Sequence, residues 1–185
     1  MVTPEMGNRL PGHGYFAIDN GCFSKPHAFR WEKYAAKVER MLREAGDRCL
    51  FATAPDIPFD ADGTLARFDE YLPRMKATGA RIALVTQDGM QTEDIRWNDI
   101  DALFVGGSTA WKTGYESSVL IAEARRRGKW VHMGRVNSLK RINAARSMGC
   151  DSADGTYLKY GPNVNWPHLL SWFNEIETRP MMVLA

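Results

Sequence analysis

A chain of 185 residues with 44% apolar and 11% aromatic side chains can bury a continuous core as one domain, which excludes a disordered polypeptide. Its 24 basic and 22 acidic residues leave a formal charge of +2, so the overall balance does not by itself announce a polyanionic partner. No stretch approaches the roughly 18 apolar residues of a membrane span, no basic segment leads into an apolar run at the N-terminus, and Cys22, Cys49 and Cys150 form neither a disulfide framework nor a CxxC zinc signature. These features predict a cytoplasmic, soluble protein of a reducing compartment, without metal, cofactor or membrane partner.

In chain order, short runs of β-formers alternate with longer stretches of helical period, the signature of a parallel sheet with crossover helices. Strands are predicted at 15–18, 49–52, 82–85, 102–105 and 130–133, with a weak one at 152–154. Between the first two, Trp31, Tyr34, Ala35, Val38, Met41 and Leu42 share one face of an amphipathic helix that Gly46 ends. A second helix, 65–76, carries Leu65, Phe68, Leu72 and Met75 on one side, and Pro73 should kink or divide it. Helices are expected at 114–127, at 138–148 with Ser138 as N-cap, and at 168–177. A full (β/α)₈ barrel takes about 250 residues, so the expected fold is α/β, a TIM-like (β/α) barrel that is shortened or incomplete. A doubly wound open sheet is the rival architecture.

In either architecture the site lies at the carboxyl ends of the strands. There the sequence reads Asp19-Asn20-Gly21-Cys22-Phe23-Ser24, Ala54-Pro55-Asp56, Thr86-Gln87-Asp88-Gly89, Gly106-Gly107-Ser108, His132-Met133-Gly134-Arg135 and Asp151-Ser152-Ala153-Asp154-Gly155. Singly, each is also a plausible turn or helix cap. Jointly, a barrel would gather Asp19, Asp56, Gln87, Gly107, Met133 and Asp154 around one mouth, and convergent carboxylates suit glycosyl transfer, with one as nucleophile and the other moving protons.

These strand-end motifs, in this order and spacing over roughly 15–155, resemble those of the tRNA-guanine transglycosylase superfamily. The resemblance implies Asp154 as the nucleophile that holds the sugar covalently and Asp19 as the general acid/base. It implies Phe23 and Met133 sandwiching the purine, Asp56 accepting from its N1 and exocyclic amine edge, and Gln87 with the backbone of Gly106 and Gly107 facing O6; Gly134 completes the base-binding set. Departures are also visible: nothing after Cys150 supplies the family's zinc site of clustered Cys and His, Ser108 stands for the usual Leu, and the acidic residue after Gly-Gly is unmatched at Trp111-Lys112. A reduced form of this kind looks like the phage DNA relatives that insert a 7-deazaguanine such as preQ0. The implied partners are DNA, favoured over tRNA, and the free 7-deazaguanine base. Host cytoplasm is then the expected compartment if the chain is phage-encoded, and a homodimer is left open.

Between 121 and 150, eight Lys/Arg face one acid, Glu123. Arg135, Lys140 and Arg141, with Lys159 further on, are candidates to hold the nucleic-acid backbone beside an extruded nucleotide. The Arg125-Arg126-Arg127 run also suits a solvated helix C-terminus. Two rival functions stay open: a hydrolase of nucleosides or sugar phosphates on the same barrel, and a non-catalytic nucleic-acid-binding module.

Overall fold

The computed structural model describes residues 1–2, 10, 12–24 and 26–178. Six strands, β1 (Phe16–Ile18), β2 (Cys49–Thr53), β3 (Ile82–Thr86), β4 (Ala102–Val105), β5 (Trp130–Met133) and β6 (Ser152–Ala153), form one sheet. Every neighbouring pair is parallel, and the spatial order equals the chain order. That order separates the two expected architectures. A doubly wound sheet reverses direction at a switch point, whereas uninterrupted right-handed crossovers put all the helices on one face and oblige the sheet to curl to shelter the other. The fold is an incomplete TIM-like α/β barrel.

The connecting helices are α1 (Trp31–Ala45), α2 (Ala61–Ala77), the single turn α3 (Thr109–Lys112), α4 (Tyr115–Arg126) and α5 (Leu139–Met148), with α6 (Pro162–Thr178) following β6. In α1 the apolar period buries Tyr34, Val38, Met41 and Ala45. Ser138 caps α5 by accepting from the Arg141 N–H, and Gly149 ends it in the left-handed region at φ 89°, a conformation costly for a residue with a Cβ.

Two expectations about helices need correction. Pro73 does not divide its helix: α2 runs through it, started by Asp60, whose side chain accepts from the Gly63 N–H. Proline removes the donor that would reach the carbonyl of Asp69, but Pro73 and Asp69 are both exposed, so water can serve that carbonyl. The last helix starts six residues earlier than its apolar pattern indicated, with Pro162 at its first position, where a missing N–H costs nothing.

The two sheet faces bury different residues. Phe16, Ile18, Ala52, Ile82, Leu84, Leu103, Val105, Val131 and Met133 belong to the large core shared with the helices. Ala17, Phe51, Ala83 and Ala102, with Phe104 against them, fill the concave side. His132 joins this inner layer, its ring 4.8 Å from Phe104 and 5.5 Å from Phe51. Since strand side chains alternate faces, the inward parity of Ala17, Phe104 and His132 carries on to Asp19, Gly106 and Gly134, and this places the chemistry above the inner layer. A Cβ on Gly134 would lie 2.6 and 2.8 Å from Cε1 and Cζ of Phe104. Gly134→Ala is therefore expected to cost about 1–3 kcal/mol in denaturant unfolding by overpacking, and an unchanged midpoint would mean that the ring yields freely.

Among the described residues, no helix is long and apolar enough to cross a membrane.

Candidate active site

A cavity of about 350 Å³ opens at the carboxyl ends of the strands and is lined by Asp19, Phe23, Asp56, Gln87, Gly106, Gly107, Arg135, Asp154 and Lys159, together with Asn20, Phe59 and Tyr160. Its size falls within the range of small-molecule pockets. Residues from the segments just after β1 and just after β6 meet here, although those strands lie at opposite ends of the sheet order. Curling of the sheet is what joins them.

Asp154 sits just past β6. His132 Nε2 lies 3.4 Å from its Oδ1, and the Arg135 backbone N–H donates to the same oxygen at 3.0 Å. Burial pushes this carboxyl up, but the His132 hydrogen bond and charge, the Arg135 N–H and the N-terminal amine outweigh it and hold Asp154 below the usual range. Behind His132, its Nδ1 lies 2.8 Å from Ser152 Oγ, which accepts from Trp130 Nε1 at 2.8 Å. Ser152 thereby bridges Trp130 and His132, and the other ring nitrogen faces Asp154.

Asp19 is shifted the other way. Burial lifts its carboxyl, the charge of Asp154 adds to this, and the Gly21 N–H only partly opposes it. The two acids of one cavity are thereby pushed apart, Asp154 downward and Asp19 upward, the pattern by which environment assigns different roles to paired carboxyls.

Asp56 is built into a polar network. Its Oδ1 accepts from Asn20 Nδ2 at 3.0 Å and its Oδ2 from Gln87 Nε2 at 2.8 Å. Asn20 also donates to the Ala54 carbonyl at 2.6 Å and accepts from the Cys22 N–H at 2.7 Å, so its amide orientation is fixed. Gln87 Oε1 accepts from the Phe59 N–H at 2.8 Å, which leaves its Nε2 donating to Asp56 with one further hydrogen to offer. Burial raises the Asp56 carboxyl to about 6 despite the Asn20 hydrogen bond.

The aromatic wall differs from the implied sandwich. Met133 is fully buried in the outer core and does not line the cavity, because the parity that turns His132 inward turns Met133 toward the helices. Phe23 does line it, and its ring partner there is Phe59, edge-on at 6.0 Å between centroids. Phe59 holds φ 66°, rare for an aromatic residue, and its backbone N–H is the one that orients Gln87. Gly134 is likewise outside the lining; its contribution is a peptide beside Asp154.

The four candidate backbone cations separate. Arg135 is half-buried in the cavity wall, its guanidinium 4.2 Å from the Phe23 ring centre and donating to the Gly107 carbonyl. Lys159 lines the rim near Tyr160. Lys140 is exposed on α5, and Arg141 reaches back to the Arg135 carbonyl at 3.5 Å; neither lines the cavity. In the Arg125–Arg127 run, Arg126 and Arg127 pair with Glu123 and Arg125 with Asp151, which agrees with a solvated helix end.

Asn20, Phe59 and His132 were not assigned to the site from sequence. Asn20 and His132 fall inside strand-end motifs, where Asn20 also suits a turn, and Phe59 comes three residues after Ala54-Pro55-Asp56, a segment that by itself suits a turn.

No family model and no curated protein matches the chain. Similar solved structures include a glycerophosphoryl diester phosphodiesterase from Silicibacter pomeroyi, 18% identical, with 85% of this chain and 52% of that chain covered and a TM-score of 0.44. A native KDPGal structure is 14% identical, with 89% and 83% covered and a TM-score of 0.46. The Bacillus subtilis YkuI protein, which has an EAL domain and was solved with c-di-GMP and calcium, is 12% identical, with 89% and 46% covered and a TM-score of 0.39. The chain spans about half the length of the first of these, and at these identities none assigns it an activity.

Proposed function

We propose that this chain is an enzyme that exchanges guanine in nucleic acid, DNA rather than tRNA, for a 7-deazaguanine such as preQ0 through a covalent aspartyl-sugar intermediate. The observation that carries the reading is the meeting, in one cavity, of Asp154, whose carboxyl is pushed down, Asp19, whose carboxyl is pushed up, and the Asn20–Asp56–Gln87 network.

In this reading an Asp154 oxygen attacks C1′ and the C1′–N9 bond of guanine breaks. Asp56 accepts from the N1–H and exocyclic amine edge. The free hydrogen of Gln87 Nε2 and the Gly107 N–H face O6, where charge accumulates as the base departs. Asp19 gives its proton to the departing base, and its carboxylate then takes the N9 proton of the incoming one. The incoming N9 attacks C1′, the ester bond to Asp154 breaks, and the carboxylate is regenerated. Phe23 and Phe59 supply aromatic surface for the base, while Arg135 and Lys159 at the cavity wall and rim hold phosphates of the extruded nucleotide in this reading.

The test is incubation with guanine-labelled DNA or tRNA and unlabelled preQ0. Release of label from DNA alone is the expected result. Release from tRNA alone would move the substrate to RNA, and release from neither would end the proposal, with hydrolysis of free nucleosides then pointing to a hydrolase.

A further inference from the structure

Lys112 is completely buried, a position that a lysine occupies only with a partner to offset its desolvation. It ends the single turn α3, which Ser108 starts by accepting from the Trp111 N–H. Its Nζ donates to the carbonyl of Gly134. The same peptide unit carries the Arg135 N–H, which donates to Asp154 Oδ1 at 3.0 Å. The N–H and C=O of a trans peptide point in opposite directions, so one rigid plane has an ammonium at its oxygen end and a carboxylate at its hydrogen end. Arg135 adopts φ 59° at this place, a strained backbone for a residue with a side chain, and the two hydrogen bonds hold it there.

We propose that Lys112 is a positioning residue for Asp154, acting through the Gly134–Arg135 peptide. Its ammonium fixes the plane and deepens the dipole aimed at the carboxylate, so that Asp154 stays ionised and oriented without Lys112 entering the cavity. The inference rests on Asp154 as the nucleophile of the proposed reaction. The charged groups acting on Lys112 are Arg135, Arg141 and Asp154, and burial with the two arginines lowers its amine to about 8. Asp154 also feels His132 and the N-terminal amine, and it acts in turn on Asp19.

The test is the titration midpoint of the Asp154 carboxyl, followed by carbon-detected NMR in the substrate-free protein, for wild type, Lys112→Met and Lys112→Gln. Lys112→Met should raise the midpoint by about 0.5–1 pH unit, and Lys112→Gln, which keeps a donor without the charge, should raise it less. An unshifted midpoint in folded Lys112→Met overturns the inference. If neither variant folds, the wild type with an acetylated N-terminus decides: the Asp154 signal should show a second inflection above the imidazole range as Lys112 loses its proton, and a flat trace up to pH 10 overturns it. Because no turnover is involved, a shifted midpoint in a protein that releases no guanine would sink the proposed reaction and leave the role of Lys112 standing.

Discussion

Asp154→Asn should abolish the covalent protein–nucleic acid adduct on a denaturing gel and reduce guanine exchange by about 10⁴-fold or more, as loss of an attacking group does elsewhere. The substitution keeps the shape of the side chain, and its amide oxygen can still accept from Arg135 N–H and His132, so the fold and preQ0 binding should persist. The stability difference has a definite sign. A carboxyl held below its unfolded value of about 3.9 contributes stability that is present above that pH and is lost as pH falls through the folded value. Asp154→Asn should therefore be less stable than wild type at neutral pH, and the gap should close in acid. An adduct of undiminished yield would transfer the attack to another group.

Much of the scaffold was legible because each strand is a short β-forming run closed by turn chemistry, and all six begin and end within one residue of their expected positions. The strand-end rule then brought Asp19, Phe23, Asp56, Gln87, Gly106, Gly107 and Asp154 to one cavity. What it could not supply was parity. Strand β5 is buried at Val131, His132 and Met133 alike, and a strand covered on both faces reads as a continuous run without the alternation that would say which side chain faces inward. The pairing of Phe104 with His132 and of Val105 with Met133 settles it, and pairing register depends on the neighbouring strand rather than on local sequence.

Phe59 and Lys112 were hidden for a different reason. The importance of Phe59 lies in a positive φ that points its N–H at Gln87, and an aromatic residue is a poor sequence signal for that conformation. Lys112 appeared only as a missing acid in a motif. Its partner, the Gly134 carbonyl, belongs to another strand end, and a contact between a side chain and a distant backbone atom leaves no spacing to read.

Asp19→Asn is the other substitution with a large expected effect, and pH distinguishes its role from that of Asp154. Exchange in the wild type should rise with pH as Asp154 ionises and fall again as Asp19 gives up its proton, with the fall displaced upward because burial and the charge of Asp154 lift the Asp19 carboxyl. An asparagine there neither gives nor takes the proton, so exchange should drop by about 10²–10⁴-fold and the alkaline limb assigned to Asp19 should vanish. The acidic limb belongs to Asp154 and should stay in place, since Asp19 already carries its proton, and no charge, where Asp154 ionises. Stability should move oppositely to that of the Asp154 variant: a raised carboxyl costs the folded state as pH climbs past its unfolded value, so Asp19→Asn should gain on wild type toward neutral pH. If Asp19→Asn exchanged guanine at the wild-type rate with both limbs in place, proton transfer would have to come from another group in the cavity, and Asp56, raised to about 6, would be the next to test.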